Sequence, residues 1–210
     1  MSAVNFDNLR SRFHLPDDKV YLDGNSLGAL PVCTEQRLRD VVSGEWADEL
    51  VSGWNTKHWI DLPLSVGDQI APIIGATSGT VVCCYSLSIN LFKALTACLE
   101  QNEGRSLITL EDGQFPTDSY IADGLSQLLG ADRCRTQAVD IAALTPETLS
   151  ESAALLLSHV DYKSGALRDM DAITVMAQSV GCLVIWDLAH SAGAIDCLLY
   201  TSPSPRDGTS

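Results

Sequence analysis

Asp187 closes the wholly apolar run CLVIWD, and the chain continues from it as DLAHSAGA to Ala194. A carboxylate at the end of a buried strand costs roughly several kcal/mol unless a cation or donor pairs with it. The protonated nitrogen of a ligand ring would serve, and His190, three residues on, is placed to hydrogen-bond a ring substituent. A merely capping Asp187 is the alternative. Three other loops carry chemistry of the same kind. Ser158 to Gly165, SHVDYKSG, gathers a hydroxyl, an imidazole, a carboxylate and an ammonium after another apolar run, although Lys163 reads as a solvated loop cation. Asp112 to Asp118, DGQFPTD, contains a turn fixed by Pro116, with Thr117 or Asp118 as helix cap. Phe115 in that loop either stacks on a flat ring or staples the following helix. Finally, Tyr85-Ser86-Leu87-Ser88 opens a helix at Ile89. The free N–H groups and hydroxyls there suit a phosphate, and a plain N-cap role for Ser88 is the alternative.

The elements that position these loops follow from the hydrophobic pattern. TVVCCY (80–85), SLITLE (106–111), AALLLS (153–158) and CLVIWD (182–187) are short continuous apolar runs, expected as strands buried on both faces. Between them lie helical periods, INLFKALTACLE after Ser88, SYIADGLSQLLG after Thr117 and Asp118, and MDAITVMAQSVG after Asp169. Gly104, Gly130 and Gly181 are placed as stops. That cadence predicts an α/β fold, a three-layer α/β/α sandwich around a mostly parallel sheet, whose ligands collect at the carboxyl ends of the strands. Residues 1–75 read as an N-terminal arm: an extended VYLDGNSLG, then helices near 34–51 and 62–74 with Pro31 and Pro63 near their starts. Residues 76–196 carry the sheet.

Composition narrows the function classes. The 210 residues are 46% hydrophobic and 19% charged, values of a folded chain and not of a disordered one. Lys+Arg number 13 against 27 Asp+Glu, and a net charge of −14 repels phosphate backbones and anionic membranes. No apolar run reaches the roughly 18–20 residues of a membrane span, and the start lacks a signal pattern, so a cytoplasmic protein is expected. The seven cysteines show no CxxC spacing and read mostly as buried free thiols rather than disulfides or zinc ligands. From Cys197 the character changes to CLLYTSPSPRD and GTS. That string resembles the translation of a sequencing adapter, so 197–210 are expected to be a non-native tail, a genuine Pro-rich tail being the alternative.

Taken in order, the loops resemble the cofactor pocket of fold-type I, class V enzymes that use pyridoxal 5′-phosphate. YLDGNSLGALP (21–31), SGWNTKHWIDLPLSVGDQIAPIIGA (52–76), FPTD (115–118), SHVDYKSG (158–165) and DLAHSAGA (187–194) together resemble the kynureninase family. The resemblance implies the large domain of that fold, here incomplete. It implies roles residue by residue: Leu87 and Ser88 on the phosphate side, Phe115 stacked on the pyridine ring, with Pro116, Thr117 and Asp118 completing that motif. Ser158 stands beside the cofactor, Asp187 on the pyridine nitrogen and His190 near the ring oxygen. Asn25, Ser26 and Trp54 fall in segments similar to the substrate side. The implied reaction is hydrolysis of L-kynurenine or 3-hydroxykynurenine to alanine and anthranilate or its hydroxylated form, in tryptophan catabolism and NAD biosynthesis, by a homodimer.

The sequence departs from that family in one respect. The family's cofactor-bearing lysine lies in a Tyr-Lys motif a few dozen residues beyond DLAH, and none of Lys19, Lys57, Lys93 and Lys163 stands in a matching place. The substrate-carboxylate arginine and the small C-terminal domain are likewise absent, so the chain is expected to be inactive and its sheet to show an unfinished edge. Two rival readings are another class V enzyme, such as a cysteine desulfurase, and a non-catalytic α/β module that binds a phosphorylated ligand. Cysteines in or beside expected strands and His190 argue against the first.

Overall fold

The computed structural model describes residues 5–195; Asp196, Cys197 and the expected tail 197–210 lie outside them. The chain divides into two compact units, Met1–Leu62 and Pro63–Ser210.

In the first unit, helix α1 (Phe6–Arg10) precedes a two-residue antiparallel pairing of β1 (Phe13–His14) with β2 (Leu30–Pro31). Pro31 caps α2 (Val32–Asp40), its fixed φ of −65° suiting a helix start. The helix runs on through π-helical turns at Val41–Trp46 into α3 (Ala47–Glu49), and α4 (Gly53–Thr56) follows. Glu45 ties this unit together: it accepts from Trp59 Nε1 at 2.8 Å and pairs with Arg37.

The second unit opens at Pro63, the second residue of α5 (Leu62–Ile70), and continues through one 3₁₀ turn at Ala71–Ile74 to α6 (Leu87–Gln101). There follow β3 (Leu107–Glu111), α7 (Pro116–Leu129), β4 (Arg135–Val139), α8 (Pro146–Leu149), β5 (Ser152–Ser158), α9 (Met170–Ser179) and β6 (Leu183–Asp187). The four strands β3 to β6 form one parallel sheet in the order β4-β3-β5-β6. β3 and β5 are buried along their whole length, as continuous apolar runs predict for central parallel strands. Alternation along β5 then divides the core. Ala154 and Leu156 face a cluster with Leu91 and Leu95 of α6 and Ala122 and Leu125 of α7; Leu155 and Leu157 face one with Leu149 of α8 and Ala177 of α9. That is the expected three-layer sandwich. No helix among the described residues is long and apolar enough to cross a membrane.

Three expectations are corrected. Residues 80–85 form no strand: a strand exists only by pairing, and the ladder ends at β6 on one side and β4 on the other. Their backbone is held instead by Cys83 N–H donating to the Pro63 carbonyl at 2.9 Å. The close approach of Val81 also explains Gly67 in α5, where a Cβ would stand 2.0 Å from the Val81 oxygen. In return the sheet contains β4, which its largely exposed, polar RTQAV sequence concealed. Helix starts move as well. Ser86, not Ser88, caps α6, its hydroxyl accepting from Ile89 N–H at 3.4 Å, and α7 begins at Pro116 with Phe115 as N-cap, so Thr117 and Asp118 lie in its first turn. Asp169 caps α9 as expected. Of the described cysteines only Cys134 and Cys182 are fully buried, while Cys33 and Cys83 are exposed.

Candidate functional site

The parallel register brings the carboxyl ends of β3, β5 and β6 to one edge of the sheet. Ser158 and Asp187 are the last residues of their strands and stand side by side in the ladder. The Asp187 backbone carbonyl accepts from His159 N–H at 3.0 Å, and its side chain closes the turn beyond, Oδ1 accepting from Ala189 N–H at 2.8 Å. Asp118 approaches from the first turn of α7 and is completely buried. Its Oδ2 accepts from Gln114 Nε2 at 2.8 Å, and the Gln114 Oε1 accepts from the Ser158 backbone N–H at 3.3 Å.

What distinguishes this edge is the polar atoms left over. Among the described residues Asp118 Oδ1, Ser158 Oγ, Asp187 Oδ2 and His190 Nδ1 are each buried and receive no donor, although the Asp118 and Asp187 carboxyls lie close enough to share a proton when Asp118 is protonated. Buried polar atoms are nearly always satisfied, and even a proton shared by the two carboxyls leaves Ser158 Oγ and His190 Nδ1 over, so this edge is a place built for something else. Aromatic rings flank it. The Phe115 ring lies 5.9 Å from the His190 ring and 5.1 Å, edge-on, from Tyr162, which in turn stacks on His190 at 6.4 Å. One further buried orphan, Arg168 Nε, lies where Arg168 pairs with Glu111 at the end of β3. That guanidinium is committed to Glu111, and no ion pair reaches Asp187 among the described residues.

Electrostatics report the same crowding. Burial, next the negative charge of Asp187, and then a hydrogen bond to the Asp187 carboxylate that only the protonated acid can donate push the Asp118 carboxyl up to about 6, against donation from Gln114 and the nearby His190. Because this lies above the ordinary value of 3.8, protonation of Asp118 favours the fold. Its contribution is complete below that ordinary value and is lost as the pH rises through about 6. Thermal unfolding therefore separates wild type from Asp118→Asn. From about pH 5 to about pH 7.5 wild type loses stability relative to the variant, and parallel curves would show that Asp118 does not titrate in this range.

The structure thus gathers Phe115, Asp118, Ser158, Asp187 and His190, with Pro116 and Thr117 opening α7 beside them. Leu87 and Ser88 lie in the first turn of α6, and no hydrogen bond joins them to that group among the described residues. Asn25, Ser26 and Trp54 belong to the first unit, where Ser26 Oγ donates to Asp23 at 2.8 Å and Trp54 is half exposed. Lys93 lies over the Tyr85 ring and Lys163, on the surface, over the Tyr162 ring. The sequence reading passed over Gln114, Tyr162 and the Glu111–Arg168 pair. A neutral amide ahead of Phe115 carries no charge or spacing signal, and the ion pair joins residues 57 apart.

No protein-family model matches the chain. In sequence it is 43% identical over 197 residues to a curated kynureninase of Pseudomonas fluorescens, covering 91% of this chain and 47% of that protein. It is likewise 43% identical over 192 residues to a kynureninase of Burkholderia pseudomallei, covering 89% of this chain and 46% of the relative. The chain thus spans about half the length of the curated relatives it matches. In structure it is similar to the Escherichia coli cysteine desulfurase CsdA, with a TM-score of 0.71 at 15% identity over 95% of this chain and 52% of that one. It is also similar to a C-DES mutant with glycine covalently linked to its PLP cofactor, with a TM-score of 0.68 at 15% identity over 92% of this chain and 52% of that one. The two structural likenesses show a shared architecture, whereas the identity to the curated relatives carries the assignment: the chain belongs to the kynureninase family.

Proposed function

We propose that this chain carries the pyridoxal 5′-phosphate pocket of an enzyme that hydrolyses L-kynurenine or 3-hydroxykynurenine to alanine and anthranilate or 3-hydroxyanthranilate. The observation that supports it is the set of buried orphan atoms at the sheet edge. Two carboxylate oxygens, a hydroxyl and an imidazole nitrogen, flanked by an aromatic ring, fit a flat heteroaromatic cation with polar substituents.

In this reading Asp187 Oδ2 accepts from the ring N–H and keeps that nitrogen protonated, while Oδ1 stays on Ala189 and fixes the carboxylate. Asp118 adds a second negative charge to the pocket, Phe115 covers the ring face, and Ser158 and His190 serve the ring's polar edge. Leu87 and Ser88, at the N-terminus of α6, offer free N–H groups to the phosphate. Asn25, Ser26 and Trp54 are assigned to the substrate. When bound, the cofactor supplies an electron sink for bond cleavage next to an amino acid's α-carbon. The family relationship also supports a homodimer.

Two measurements on the 210-residue chain test this. Titration with pyridoxal 5′-phosphate gives saturable binding. Added L-kynurenine gives no anthranilate, because no lysine of this sequence stands in the family's cofactor-bearing motif. At the relatives' full length, the protein cleaves L-kynurenine. Absence of cofactor binding, or failure of the full-length protein to release fluorescent anthranilate, overturns the proposal.

A further inference from the structure

Gln114 is buried at this sheet edge and belongs to none of the roles above. We infer that it is a positioning residue, holding one oxygen of Asp118 so that the other remains available, and negative, for the cationic ring. This rests on the cofactor reading of the site.

The geometry fixes how Gln114 must lie. The Ser158 backbone N–H is only a donor, so it faces Oε1, and the amide nitrogen is left to donate to Asp118. One side chain thereby ties the loop after β3 to the first turn of α7 and to the end of β5. Those are the elements that carry Phe115, Asp118 and Ser158. A neutral donor on Oδ2 stabilises the ionised carboxylate without supplying a competing cation, it opposes the shared proton with Asp187 that favours the neutral acid, and Oδ1 receives no donor among the described residues. The charged or titratable groups that face Asp118 are Asp187 at the end of β6, which opposes its ionisation, and His190 beyond it, which favours it. Gln114 works on the side of His190. Without it, burial and Asp187 act on Asp118 with less opposition.

The test uses the 210-residue chain with ¹³C-labelled aspartate carboxyls and no cofactor. In wild type Asp118 titrates near 6. In Gln114→Leu its midpoint lies about one pH unit higher, the loss of one charge-assisted hydrogen bond. The affinity for pyridoxal 5′-phosphate, measured across pH, shifts its acid limb by the same amount and returns to within about threefold of wild type at high pH. An unmoved midpoint, or a loss of affinity equal at every pH, overturns the inference and leaves Gln114 a packing residue. If wild type binds no pyridoxal 5′-phosphate, the cofactor reading fails, and the cofactor-free titration still decides whether Gln114 acts on Asp118. Should Gln114→Leu not fold, Gln114→Glu replaces it at equal size. Its ionised acid repels Asp118 and raises the midpoint, and an unchanged midpoint again overturns the inference.

Discussion

Replacing Asp187 by asparagine is expected to weaken the binding of pyridoxal 5′-phosphate to this chain by roughly a hundredfold or more. The substitution keeps size and shape, and an asparagine oxygen can still accept from Ala189 N–H, the bond that closes the turn after β6. What changes is the buried atom without a partner. Oδ2 is an acceptor with a negative charge, and an amide NH₂ in its place would present a donor to the donor on the ring. Removing one side of a buried charged hydrogen bond costs about 2–5 kcal/mol, which sets the size of the effect. An equilibrium titration by cofactor absorbance, beside circular dichroism to show an unchanged fold, measures it. An affinity within about threefold of wild type would remove Asp187 from the ring nitrogen.

The second large effect is on stability. Leu156→Ala is expected to destabilise the chain by about 2–5 kcal/mol in urea unfolding. Leu156 is fully buried in the middle of β5, between α6 and α7 on its face of the sheet, and has Leu155 and Leu157 turned to the other core cluster. Truncation there opens a cavity that rigid neighbours on both flanking strands cannot collapse to fill. The same change at Leu128, which is 70% exposed on α7, is expected to cost less than about 0.5 kcal/mol. Equal losses at the two positions would mean that the sandwich core is not packed as described.

Particular residues show why some of this was legible in the sequence and some was not. β3 and β5 announced themselves because a central parallel strand must be apolar on both faces; β6, the last strand of the ladder, is half-buried but carries as apolar a run, and Asp187 stood out because such a run does not end in a carboxylate without cause. β4, at the other end, did not, since its RTQAV sequence is polar and largely solvated and an edge strand can pair without an apolar run. The reverse error at 80–85 has the same root: apolarity reports burial, but a strand also needs a neighbour, and pairing is not written in one segment. Helix starts slipped by two residues because Ser86 and Ser88 are equally good caps, and only the backbone decides between them. Within the site, charged and aromatic members were visible one by one. The amide of Gln114 was not, because its role exists only through Asp118 and Ser158, brought to it by separate elements.

The central claim is that the edge formed by Phe115, Asp118, Ser158, Asp187 and His190 holds a protonated heteroaromatic ring on Asp187. The most direct measurement is the ¹⁵N resonance of ring-labelled pyridoxal 5′-phosphate bound to the 210-residue chain near neutral pH. The account predicts a protonated ring nitrogen in wild type and loss of that signature in Asp187→Asn. A bound cofactor whose ring nitrogen is unprotonated in wild type, or equally protonated in both proteins, would contradict it.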